Sequence, residues 1–367
     1  MIGPAWSNLT PTLKTMKKEK LSARPWRLCL GLFAALAIYA ASADAHVKWF
    51  ASWNIICPPR DPMRIFASPL WRWLGVACVV SMTGLAWLDW RLQQAAGGRF
   101  QAACMRLHAV SAPKAVGILR VGVAIYWLLA AFTLPHAVYL TPELAAPAWV
   151  SWLQLALALL VLRRATAWLA GVGMLALYGL AIADYGWFHL LDYPLFAAVG
   201  IILVLSGRGQ DRCDALGLTI LRWGAGITIF WGGIEKFTYP EWSFPLLLSI
   251  PSLSLGVKPE TAMYVYGFGE IAFAYGLLVF GAGSQVAALL LLAIFLSAVA
   301  PFGWVDLVGH SGICVALLIL SLTRTRTPIL LRTPASNAVA HGLLFSALTA
   351  IYLFAYFGLH RLHLHHA

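Results

Sequence analysis

Apolar runs of roughly 16 to 22 residues recur along this 367-residue chain, each near the length a helix needs to cross a hydrocarbon core. No other feature restricts the fold so severely. Inside a bilayer every backbone N–H and C=O must be satisfied within the protein, so only helices and closed barrels span it. Unbroken runs without period-two alternation select helices. The chain is 61 % hydrophobic and 11 % charged, whereas about a quarter of the residues in a soluble domain are charged. Its 17 tryptophans fit as well, because indole collects at the headgroup level.

The runs predict helices near 70–90, 116–135, 149–162, 165–183, 187–206, 216–237, 262–281, 284–300, 307–322 and 338–358, about ten spans in all. Gly281-Ala282-Gly283 reads as a tight hairpin between two of them, since glycine ends a helix at little cost. Ahead of these lies a basic stretch from Lys14 to Arg27. A short apolar stretch, Leu28 to Tyr39, follows it and leads to Ala43-Asp44-Ala45. That is the pattern of a secretory signal sequence, so residues 1–45 are expected to be a signal peptide or an uncleaved anchor.

The net charge of +12 is spread between the apolar runs and does not cluster as a nucleic-acid-reading surface would; nucleic acid is excluded as a partner. Arg91, Arg99, Arg106, Arg163, Arg164, Arg208, Arg212 and Arg324 fall in alternate loops, which the positive-inside rule places on the cytoplasmic side. A multi-pass protein of the bacterial inner membrane is expected. Segments 46–69, 136–148 and 238–261 and the C-terminal tail then face the periplasm. The segment 238–261, with Pro240, Trp242, Pro245 and Pro251, fits a re-entrant or interfacial piece. The six cysteines include no Cys-x-x-Cys pair, which argues against a thiol relay or a thiolate zinc site.

The chain also repeats itself. Ile118-Leu119-Arg120-Val121-Gly122 is echoed by Ile220-Leu221-Arg222-Trp223-Gly224, and Gly186-Trp187-Phe188-His189-Leu190 by Gly303-Trp304-Val305-Asp306-Leu307. Two matches in the same order predict a duplicated four-helix unit, 116–206 and 216–322. An even number of spans per unit makes the two parallel, related by an axis along the membrane normal. Residues 46–115 supply a periplasmic segment, the first membrane helix and a cytoplasmic loop, and 338–367 the last helix and a His-rich tail. The expected fold class is therefore all-α: a polytopic membrane protein with two parallel four-helix repeats after an N-terminal signal sequence.

Ionisable groups within a bilayer are costly and need a reason. Arg120 and Arg222 sit about one turn inside their spans and are expected to play a structural role, tying each helix start to a neighbouring carbonyl or phosphate. Glu235, Lys236, Glu270, Asp306 and His310 all fall in the outer half of the second unit. Lys236 is the expected partner of Glu270, with His310, Trp231 and Tyr266 completing a polar ligand pocket. Tyr266 precedes Glu270 by one helical turn and shares its face. A buried ion pair that only fixes helix packing is the plainer alternative. In the first unit His189, Asp192 and Tyr193 are fragments of the same pattern, so that unit reads as scaffold and the second as the working half. Separately, His46 at a new N-terminus, together with His360 and His363 of the tail, offers nitrogen ligands that suit copper.

Leu221-Arg222-Trp223-Gly224, Trp231-Gly232-Gly233-Ile234-Glu235-Lys236-Phe237, Tyr266-Gly267-Phe268-Gly269-Glu270 and Phe302-Gly303-Trp304-Val305-Asp306-Leu307-Val308-Gly309-His310 together resemble the DoxX-like family of bacterial membrane proteins. His46-Val47-Lys48-Trp49-Phe50 looks like larger, two-unit members. The resemblance is strongest over 216–322. It implies a four-helix membrane unit and, for the best-known relatives, a subunit of a thiosulfate-to-quinone oxidoreductase; other relatives look like maturation or chaperone-like factors. The expected function is a membrane component that binds a quinone or similar lipid-soluble ligand and supports periplasmic redox chemistry with a partner. The alternatives are an assembly or copper-handling factor and a small-solute transporter.

Overall fold

The computed structural model describes residues 47–94, 99–206, 211–254, 256–324, 330–331 and 333–366. The predicted signal sequence and His46 lie outside the described residues. Among those described there is no strand, only one isolated bridge between Val138 and Ala145.

The long helices are α1 (Pro69–Gln94), α2 (Arg99–Ser111), α3 (Ala115–Thr133), α4 (Trp149–Leu162), α5 (Ala167–Tyr185), α6 (Pro194–Ser206), α7 (Asp211–Thr238), α8 (Pro259–Val279), α9 (Ala282–Leu322) and α10 (Pro334–His366). Six helical stretches are long and apolar enough to cross a bilayer, while α4 and α6 are shorter apolar helices. The chain is an all-helical, multi-pass membrane protein. Proline opens α6, α8 and α10, where its missing N–H is an unpaired donor position anyway. The segment 91–115, expected as a cytoplasmic loop, instead holds α2. The break expected between spans at 300 and 307 is a kink inside α9 at Pro301 and Gly303, where proline removes a helix donor.

Consecutive helices from α3 to α9 pack side by side, and α9 returns to α3, closing a ring. Helices α1 and α10 pair and lean on α8 and α7 from outside. This makes α8 the sheathed helix: 89 % of its apolar window is buried, against 28–39 % in the other five stretches. The lightly buried helices leave Phe132, Trp152, Leu159, Leu289 and Ile351 facing outward, as lipid contact requires.

Arg120 reaches the C-terminal carbonyls of α4, with Nε donating to Val161 at 2.7 Å and Nη2 to Leu162. This supplies donors to helix-end acceptors that the helix leaves open. Arg222 donates instead to Ser284 Oγ at 3.2 Å, at the start of α9. The hairpin at Gly281-Ala282-Gly283 is present, and Asp89 of α1 accepts from the backbone N–H of Gly281 at 3.0 Å and of Gly283 at 2.8 Å. A carboxylate there complements the positive end of α9.

Candidate functional site

Helices α7 and α8 cross almost backbone to backbone. A Cβ on Gly233 would stand 3.0 Å from the Gly267 carbonyl oxygen, and one on Gly267 would stand 2.9 Å from that of Gly233. Only glycine permits this approach, and it brings Glu270 alongside Gly232 and within reach of Lys236. The two side chains meet at 2.5 Å from Nζ to Oε1.

That pair forms one wall of a cavity of about 120 Å³, space for roughly eight or more waters at 10–15 Å³ each. Ile229, Leu246, Leu247, Leu253, Met263, Phe295 and Ile313 supply apolar lining, and Asp192, Glu235, Lys236, Tyr266, Glu270 and His310 the polar groups. Its roof is the segment 238–261, folded into short helices Phe244–Ser249 and Pro251–Ser254. Tyr266 pins this roof by donating its hydroxyl to the Leu253 carbonyl.

Most of the predicted pocket residues are therefore brought together, with two differences. Trp231 does not line the cavity; it is buried behind it, its ring 4.9 Å from Tyr356 and 5.8 Å from Phe188. On α7 it shares a face with the cavity-lining Glu235, one turn on, but its ring is taken up by the packing against Tyr356 of α10 and Phe188. Asp306 also stands behind the wall. It is wholly buried, with Oδ1 3.1 Å from His310 Nδ1, although the pair is not aligned for a hydrogen bond.

The division into a working unit and a scaffold is not what the structure shows. Thr141, Asp192, Tyr193, Leu195 and Phe196, all from 116–206, line the same cavity. A strap from the segment before α1 joins the two sides of the cavity. Lys48, with a wholly buried side chain, contacts Asp192 Oδ2 and Glu235 Oε1, the latter at 2.8 Å. Its ammonium lies 5.6 Å from the Trp53 ring centre and 5.4 Å from that of Trp242, where cation–π attraction adds to the pairing. Tyr356 of α10 donates to Glu235 Oε1 at 3.2 Å. The strap tryptophans divide between the two sides: Trp49 packs on His310 with ring centres 4.5 Å apart, and Trp53 stacks on His189 at 4.5 Å. Gly309 leaves the room that the Trp49 ring occupies.

Burial works to lower the Lys48 pKa, but Asp192 and Glu235 outweigh it and hold the ammonium above its ordinary value. Asp192 is pushed up to about 7, by burial first and by the charge of Glu235 second. Two carboxylates share one ammonium, so a proton on one of them leaves the cluster neutral. Nothing in the sequence alone assigns Lys48 to the pocket. The signal available was its place within His46-Val47-Lys48-Trp49-Phe50, followed by Trp53.

The tail histidines are engaged elsewhere. His360 Nε2 contacts the Ile55 carbonyl at 2.7 Å and the Tyr239 hydroxyl at 3.1 Å, and the His363 ring lies 5.8 Å from Phe188. Among the described residues no three His, Cys, Asp or Glu side chains form a metal-holding group. No family model matches the chain, and no curated protein or solved structure matches it either.

Proposed function

We propose that this protein is a two-unit, DoxX-like component of the bacterial inner membrane, with about ten spans, that binds a quinone or similar lipid-soluble ligand in the cavity between its units. The observation that carries the reading is the cavity itself: an apolar chamber with ion-paired Lys236 and Glu270 on one wall and His310, backed by Asp306, on another. Small-molecule sites combine apolar lining with a few placed polar groups in this way. A ring with oxygens at its edges finds donors in Lys236 and His310, and its tail finds the leucines of the roof. The role fits a subunit that supports redox chemistry with a periplasmic or membrane partner.

The duplication is supported by the backbone. Gly186 (φ 82°, ψ 150°) and Gly303 (φ 73°, ψ −151°), equivalent in the sequence echo, both adopt positive φ with extended ψ, a region essentially restricted to glycine. A solute pathway is disfavoured because the polar groups of the cytoplasmic half are tied locally: Arg120 to carbonyls, Arg222 to Ser284 and His341 to Tyr275 at 3.0 Å.

The test is mass spectrometry of lipids retained by gently purified protein. One quinone per chain, lost in Glu270→Gln without loss of folded protein, supports the reading. Quinone at no more than its bulk membrane level overturns it and moves the assignment to an assembly role.

A further inference from the structure

Among the described residues, and apart from Thr141 and the Asp306–His310 pair, five buried polar atoms on the loop side of the cavity lack a geometrically aligned hydrogen-bond partner: both carboxylate oxygens of Glu143, both ring nitrogens of His189 and Oδ1 of Asp192. Each such atom costs about 1–3 kcal/mol, and folded proteins retain few of them. Here they gather in three adjoining side chains. Glu143 Oε1 stands 4.0 Å from His189 Nε2, and His189 and Asp192 share one helical turn, His189–Asp192. Stacking of Trp53 on the His189 ring fixes its plane and leaves both nitrogens at the edge.

The cluster has two ends. At one, Asp192 lines the cavity and is joined through Lys48 to Glu235, which lines it too. At the other, Glu143 lies one layer beneath the surface of the loop 134–148. Over it, Tyr139 donates to the exposed Asp184 at 2.6 Å and Tyr185 to the Ala145 carbonyl at 2.9 Å. Every member can gain and lose a proton; only Glu143 is touched locally, by its own backbone N–H and the Thr141 hydroxyl.

We propose that Asp192, His189 and Glu143 form a proton relay joining the ligand cavity to the aqueous face that carries the loop 134–148. The proposal deepens the cavity reading: a ligand that gains or loses protons there has a route for them that avoids the lipid. A proton taken by Asp192 from the cavity passes to one nitrogen of His189. The opposite nitrogen releases its own proton to Glu143, which gives it to outside water. Asp192 and Glu143 return to their starting charge, and His189 stays neutral with its tautomer exchanged. Lys48 remains charged throughout and offsets Glu235.

Burial supports these roles. It pushes Glu143 up to about 8, and with Glu235 it raises Asp192 to about 7, so both exchange protons near neutrality. His189 is held down to about 2, by burial and then by Lys48, so it passes a proton without storing one. Glu235, Lys48, Lys236, Tyr178, Tyr356 and Glu143 bear on Asp192; Lys48 and His363 bear on His189; Tyr126, Tyr185, Lys48 and Asp192 bear on Glu143.

The experiment is time-resolved infrared spectroscopy of the full-length protein in detergent, mixed from H2O into D2O at neutral pH. Carboxylic-acid carbonyl bands are assigned by their loss in Glu143→Gln and Asp192→Asn. The relay predicts that the Asp192 band exchanges quickly in the wild type. It slows about a hundredfold in Glu143→Gln and in His189→Gln, the low end of what a lost acid–base group removes. An Asp192 band that exchanges at the wild-type rate in Glu143→Gln overturns the relay, as does the absence of any protonated Asp192 or Glu143 band. Should His189→Gln fail to fold, the near-isosteric Glu143→Gln decides alone. Exchange is read without added ligand, so failure of the quinone assignment leaves this result standing, and the converse holds too.

Discussion

Replacing Lys48 by methionine is the sharpest probe of how the three parts are joined. The side chain is wholly buried and is the ammonium between Asp192 and Glu235. Its removal leaves two buried carboxylates facing each other, and breaking a buried pair in this way costs about 3–5 kcal/mol. Protonation of Asp192 limits that cost. In the wild type its folded value, about 7, lies above the ordinary 3.8, so folding takes up a proton between those pH values. This contribution is present at low pH and fades as pH rises through about 7, at no more than about 1.4 kcal/mol per pH unit. Lys48→Met raises the folded Asp192 value further and carries the window to higher pH. The deficit of the variant is therefore expected to be smaller at pH 6 and to approach the full figure near pH 8. Unfolding in mixed micelles, followed by tryptophan fluorescence, measures it. Lys48→Met/Asp192→Asn should recover at least about 1 kcal/mol of the loss, since contacting residues couple by 0.5–3 kcal/mol. A pH-independent deficit under about 1 kcal/mol, or no recovery in the double variant, would refute the cluster as drawn.

Four further outcomes follow from particular positions. Gly309→Ala drives a methyl into the Trp49 ring and should cost about 1–3 kcal/mol by overpacking, with a shifted indole emission and less retained ligand. Gly303→Ala meets no atom within 4 Å but sits at φ 73°, so about 1–3 kcal/mol is lost to the backbone alone. Gly179→Ala, equally unobstructed within α5, should instead gain about 0.5–1 kcal/mol of helix stability. Arg60→Ala removes contacts to Glu241 and Glu260, both about half exposed, and should change stability by no more than about 1 kcal/mol per pair.

The sequence is most legible where local rules act alone. Apolar length marks the helices, Gly281-Ala282-Gly283 their hairpin, and the cost of an intramembrane charge singles out Glu270 and Lys236, which do meet. Arg120 finds carbonyls, as its depth in the helix suggests. Legibility fails where the deciding fact is three-dimensional. Trp231 shares a face with the cavity-lining Glu235, yet packing against Tyr356 and Phe188 takes its ring out of the wall. Helix α2 is hidden because its stretch is less apolar than the spans. Lys48 meets Asp192 and Glu235 across 144 and 187 residues, and no periodicity reports a contact of that separation.

The strap explains why the polar residues of 116–206 differ from those of 216–322. A single strap serves both sides of the cavity, placing Trp49 on His310 and Trp53 on His189 with Lys48 between. One ammonium can neutralise a carboxylate from each side, so 116–206 supplies Asp192 and 216–322 supplies Glu235. The latter stretch then keeps Lys236 and Glu270 for the cavity wall, and the former keeps Glu143 and His189 on the opposite side of Lys48. His189, Asp192 and Tyr193 are thus one side of a single site, and a variant that cuts the strap's hold on Asp192 must disturb both sides.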